Sequence, residues 1–131
     1  MKKSAVKTKK KLNWSSIVLA IVSIIAIVLL FTLMDYFTHS LSAEYAVPSY
    51  YFRDKIIFGI VWALVAYYFV RKKKILSRSL IISAFVAIVL QTRYYLTGYA
   101  LDFVLLFLVL HFVMLFVSCL VVFRLMKKWL G

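Results

Sequence analysis

The chain has 131 residues, of which 66% are hydrophobic, with a mean hydropathy of +0.99 and a formal charge of +13. Soluble domains hold about 45–50% apolar residues, so an ordinary water-soluble fold is excluded: it has no interior large enough for this excess. The single cysteine, Cys119, excludes an internal disulfide framework and any dithiol chemistry within the chain.

Residues 1–11 carry six lysines and no acid, a composition that cannot collapse and is expected to be disordered in water. The run from Leu12 to Met34 has no charge, which exceeds the ~18 apolar residues that mark a membrane span. It is too long for the ~7–15 residue core of a cleaved signal, and a retained first span over about 14–38 is expected. Asn13 or Ser15 can cap it, and Trp14 suits the headgroup layer.

The second apolar segment is weaker, since only Ile56 to Val70 is free of charge. Pro48 suits a first helical position, and Tyr50, Tyr51 and Phe52 form an interfacial belt with Arg53 and Lys55 snorkelling outward to water. A second span over about 48–70 follows. Arg71–Lys74 and Arg78 make a basic turn before a third span over about 79–97, which contains Arg93 near its end. Gly98 breaks that helix, Asp102 can cap the next, and a fourth span covers about 102–124.

The expected fold is therefore all-α: one transmembrane domain over 12–131 behind the basic tail, built as a four-helix antiparallel bundle. Residues 1–11, the turn 71–78 and the stretch from Arg124 onward hold fourteen basic residues and no acid; Asp35, Glu44, Asp54 and Asp102 all fall on the other side. Basic loops stay inside, so both termini are expected to be cytoplasmic and the protein to sit in the plasma membrane. Each cation beside an anionic leaflet contributes about 1 kcal/mol, so anionic lipids are the expected cytoplasmic partners. No aromatic residues interleave the basic tail to stack bases, and no nucleic-acid partner is expected.

Helical spacing places Thr32, Asp35, His39 and Ser42 on one stripe at the outer face. Asp35, His39 and Glu44 are the candidate catalytic or metal-ligating set, with Asp54 or Asp102 able to complete it. No cofactor is expected otherwise. Arg93 calls for a partner, because a charge within a span is costly. One reading is a structural ion pair with Asp102, nearest in sequence, or with Asp54; the other is an anion or lipid-headgroup site formed with Tyr94, Tyr95 and Tyr99. His111 lies mid-span on a stripe with Val104, Phe107, Leu108, Leu115 and Ser118. A hydrogen bond to Gln91 or Ser83 is expected there, with no carboxylate at the same depth.

Small residues (Ser16, Ala20, Ser23; Gly59, Ala63, Ala66; Ala84, Ala87) point to close packing of spans one to three. Span four lacks them and is expected to fill gaps or face lipid and a partner. The leading functional expectation is a non-catalytic membrane protein that binds a lipid or a membrane-protein partner through its outer segment 35–55. A metal-dependent enzyme acting on a lipid-linked substrate is the second class. A small four-span transporter is the third, although Asp35 stands at the very end of the first span.

Overall fold

A computed structural model describes residues 14–130; the basic tail and the Asn13 cap lie outside the described residues. Four long helices account for most of it: α1, Trp14–Ser40; α2, Tyr50–Val70; α3, Ile75–Leu96; and α4, Leu101–Leu125. A short α5, Lys127–Leu130, ends the described chain, and a single 3-10 turn, Ala43–Tyr45, lies between α1 and α2. Among the described residues there is no strand.

The connections have local causes. After α2, the Lys73 N–H bonds back to the Val70 carbonyl and Lys74 turns extended, so the helix stops and α3 starts at once. Arg78 donates its backbone N–H to Lys74 and lies in the first turn of α3, which begins at Ile75, four residues before the expected start at 79. Gly98 ends α3 with φ 106°, a left-handed conformation that glycine adopts without a Cβ clash. The Tyr99 N–H then reaches back to the Tyr94 carbonyl at 3.2 Å, closing a Schellman turn. The fourth helix begins after Ala100, so Asp102 sits within its first turn, accepting from the Phe103 N–H at 2.9 Å. Pro48 stands just before α2, with its carbonyl accepting from Tyr51.

Each long helix packs against two others in a ring: α1 on α2, α2 on α3, α3 on α4, and α4 back on α1; among the described residues the diagonals are bridged by side chains such as Lys55 and His111 and not by close backbone approach. The most extensive interface is α3 with α4. Span four is thus a full member of the bundle, contrary to the expectation from its lack of small residues. Val104, Phe107, His111, Leu115, Ser118, Val122 and Phe123 face inward along it. On α2, the small stripe Gly59, Ala63 and Ala66 is buried as expected. A Cβ at Gly59 would meet Val28 of α1 at 3.2 Å, so the absence of a side chain sets how closely these two helices approach.

Helices α1, α3 and α4 are long and apolar enough to cross a membrane. Any 18-residue stretch of α2 contains Arg53, Asp54 and Lys55, and α2 does not meet that standard. The outer surface of the long helices is largely apolar, and several polar side chains lie inside with the apolar core. Val18, Leu33, Val61, Phe69, Val109 and Val117 are exposed, whereas Ser23, Asp35, Lys55, Ser83, Gln91, His111 and Ser118 are buried. The hydroxyls of Ser23, Ser83 and Ser118 donate to the carbonyl four residues back, which satisfies them within their own helices.

Gly59→Leu is expected to lower the detergent melting temperature, since overpacking a tight contact costs about 1–3 kcal/mol. Val61→Leu, on the exposed face of the same helix, is expected to leave it unchanged; equal losses would remove the α1–α2 approach from this account.

Candidate functional site

At the end of the bundle that carries Glu44, Asp54 and Asp102, called here the acidic end, all four helices contribute a pair of residues to one layer. Each pair is spaced to share a helix face: Asp35 and His39 on α1, Tyr51 and Lys55 on α2, Gln91 and Tyr94 on α3, Phe107 and His111 on α4. All eight are buried.

The centre of the layer is an ion pair. The Lys55 ammonium donates to Asp35 Oδ2, and both side chains are fully removed from solvent. Lys55 also donates to the Tyr51 hydroxyl at 3.1 Å, and its Nζ lies 4.2 Å from the Tyr51 ring centroid and 5.3 Å from that of Phe31. The sequence led to the opposite expectation, a lysine reaching outward to water. The inward direction follows from the helix register: Lys55 is four residues from Gly59, on the stripe that faces α1, where Asp35 supplies the compensating charge.

The second Asp35 oxygen, Oδ1, is 2.8 Å from His111 Nε2, and His111 Nδ1 is 2.6 Å from the Gln91 amide nitrogen. Gln91 donates to Nδ1, so the ring proton belongs on Nε2, where it is donated to the carboxylate. A carboxylate therefore does share the depth of His111, and it is Asp35; the Gln91 contact is the one expected. His111 Nε2 also approaches Lys55 Nζ to 3.1 Å.

His39 closes the layer toward the acidic end. Its Nδ1 is 2.6 Å from the Tyr45 carbonyl, which can only accept, so Nδ1 carries the proton. Nε2 then faces Asp35 Oδ2 at 3.3 Å. The ring lies flat against Phe107, centroids 4.3 Å apart, with Tyr51 packed edge-on at 5.0 Å. The 3-10 turn is what brings the Tyr45 carbonyl back over α1; Ser42 caps that turn by accepting from the Glu44 N–H.

Asp35, His39 and His111 each offer one ligand atom within 4.8 Å of the others. Two of these are members of the expected metal set; Glu44 is exposed in the 3-10 turn, and His111 stands in its place. The residues fit a divalent ion in donor type, but the Lys55 ammonium already holds the same carboxylate and supplies the positive charge a metal would bring.

Beside this layer a cavity of about 200 Å³ opens between the ends of α2 and α3, lined by Tyr50, Tyr51, Asp54, Arg93, Tyr94, Thr97 and Tyr99. Tyr51 and Tyr94 form its buried floor, stacked with centroids 4.6 Å apart, while Tyr50 and Thr97 are exposed at its rim. Of the expected anion-site residues, Arg93, Tyr94 and Tyr99 meet here. Tyr95 points elsewhere, onto a surface hollow with Thr92 and Leu105. Arg93 lies 4.0 Å from Asp54 and stacks its guanidinium over Phe58 at 3.9 Å; Asp102 lines a separate hollow with Glu44 and Tyr45. The Tyr94 hydroxyl is buried without a hydrogen-bond partner. Burial and the neighbouring Tyr50 push the Tyr99 hydroxyl above its ordinary range, so it remains a neutral donor.

No family model, curated protein or solved structure matches this chain.

Lys55→Met leaves the Asp35 carboxylate buried without its cation, and is expected to destabilise the protein by about 3–5 kcal/mol, the cost of breaking a buried pair from one side. The double variant Asp35→Asn/Lys55→Met is expected to recover a substantial part of that loss. Thermal unfolding of these two and of Asp35→Asn in detergent checks it; a double variant as unstable as the sum of the single variants would refute the pairing.

Proposed function

We propose that this protein is a small polytopic membrane protein of non-catalytic type, which binds the polar headgroup of a lipid in the cavity lined by Arg93 and the tyrosines. In this reading the bundle is an antiparallel set of four spans in the plasma membrane, with both termini cytoplasmic and the acidic end outward. The exposed apolar faces of α1, α2 and α4 support a lipid surround, since water-soluble proteins rarely present contiguous apolar patches beyond a few hundred Å². The burial of Lys55 against Asp35 supports counting α2 as a span: the charge that most interrupts it is paired inside the bundle. The fourteen basic residues of the opposite end would rest on anionic lipids, and their one-sided distribution supports the orientation.

The observation that carries the binding reading is the composition of the cavity. Its floor holds two buried phenols, one with an unpartnered hydroxyl and the other bonded to the Lys55 ammonium. The Tyr51 oxygen accepts from Lys55, which holds this ring in place in the cavity floor. Arg93 at the wall adds a fork of N–H donors. The result is a recess with a guanidinium in its wall and tyrosines around it, which suits a phosphate-bearing headgroup.

A second reading has specific support. The convergence of Asp35, His39 and His111 fits a metal-dependent enzyme acting on a lipid-linked substrate. Lys55 argues against it, since a metal would have to share Asp35 with an ammonium in a confined apolar site.

Two outcomes are expected. Cysteines placed at Ser42 and Ser77, in a Cys119→Ala background, should react with impermeant reagents from outside and inside respectively; labelling of both from one side would refute the orientation. Arg93→Ala should lower lipid retention in native mass spectrometry of the detergent-purified protein by about 10–100-fold, the loss of one charge-assisted contact. Undiminished retention would refute the cavity as the lipid site.

A further inference from the structure

The cavity carries both signs of charge, and this narrows the headgroup it would accept. Resting on the reading of the cavity as a lipid site, we propose that it selects a zwitterionic headgroup in which a phosphate is joined by a short link to an amine, as in phosphoethanolamine. Arg93 would take the phosphate, and Asp54 would take the ammonium.

Three observations point this way. Arg93 Nη2 and Asp54 Oδ2 stand 4.0 Å apart on facing helices, too far for a good hydrogen bond, and both line the cavity. Phosphate and ammonium of such a headgroup are separated by a two-carbon bridge, a comparable span, so each charge can meet its opposite without displacing either side chain far. Second, Asp54 is the acid among the cavity-lining residues, and its other neighbour, Arg53, is largely exposed, 3.5 Å away on the same helix. A purely anionic headgroup such as phosphatidylglycerol would gain nothing from this carboxylate and would be repelled by it. Third, Tyr50 and Tyr99 line the same cavity as Asp54. Aromatic faces attract an ammonium through the ring quadrupole and leave a phosphate indifferent.

The arrangement predicts different consequences for its two charges. Arg93 contributes to any phosphate-bearing lipid; Asp54 contributes only when an amine follows the phosphate. Asp54 is partly exposed and outside the buried layer, so Asp54→Asn keeps its shape and leaves the bundle intact.

The test is retention of lipid by the full-length protein, purified from nanodiscs containing equal amounts of phosphatidylethanolamine and phosphatidylglycerol, read by native mass spectrometry. Wild type is expected to retain phosphatidylethanolamine over phosphatidylglycerol by about tenfold. Asp54→Asn should remove that preference, through loss of phosphatidylethanolamine or gain of phosphatidylglycerol, at unchanged melting temperature. Retention of phosphatidylglycerol equal to or above phosphatidylethanolamine in wild type, with binding still lost in Arg93→Ala, would overturn the zwitterion proposal while sparing the lipid site. Retention of both lipids unaffected by either substitution would overturn the lipid site itself.

Discussion

A lysine with no access to water decides how this protein is put together. The Lys55 ammonium is enclosed by four helices, and an isolated charge in such surroundings is prohibitively costly. Asp35 on the neighbouring helix removes most of that cost, and the remaining hydrogen-bonding capacity of both groups fixes the positions of Tyr51, His111 and, through His111, Gln91. The chain of contacts visits every long helix once. Apolar packing alone specifies the register of membrane helices weakly, because lipid tails are as apolar as leucine side chains. A polar layer in which Lys55, Asp35, His111 and Gln91 are joined across helices specifies it far better, so we assign to this layer the role of holding the bundle in one arrangement.

The same layer shapes what lies beside it. Tyr51 belongs to both the ion layer and the floor of the cavity, so the hydrogen bond from Lys55 also fixes a residue that lines the recess. At the opposite end a smaller version of the same device occurs. Arg78 is buried, stacks its guanidinium over Phe123 at 4.3 Å and donates to the Arg71 carbonyl at 3.2 Å, tying the end of α2 to the start of α3 and the end of α4. Here aromatic faces and a backbone carbonyl replace the carboxylate, and the guanidinium, a weakly hydrated cation, tolerates that substitution where an ammonium would not.

The all-helical character and the three most apolar helices were legible in the sequence, because uncharged runs such as Leu12–Met34 leave no other reading. The site was legible only in part. Asp35 and His39 declared themselves by their i, i+4 spacing, and Gln91 was a natural partner for His111. Lys55 departs from the expectation for a physical reason: long basic side chains near a span end usually snorkel, and here register overrides that tendency. The register held the contrary signal. Tyr51, Lys55, Gly59 and Ala63 recur every four residues, so the stripe of small residues that marks the packed face of α2 runs directly up to Lys55. The depth of Asp35 was hidden by the extension of α1 to Ser40 and by the fold-back of the 3-10 turn, which covers the end of the helix and brings the Tyr45 carbonyl to His39. Neither the fold-back nor the choice of Asp54 over Asp102 as neighbour of Arg93 is encoded in spacing; both depend on which helices adjoin.

The burial of Lys55 is open to direct chemical measurement. Folded protein in mild detergent, treated with a water-soluble acylating reagent and digested for mass spectrometry, reports the reactivity of each lysine separately. Lys72, Lys73 and Lys74 are exposed and serve as internal references. The account predicts that these are modified readily while Lys55 stays unmodified until the protein is denatured. Modification of Lys55 in the folded protein at the rate of Lys73 would place its ammonium in water and contradict the ion layer on which the rest of the structure depends.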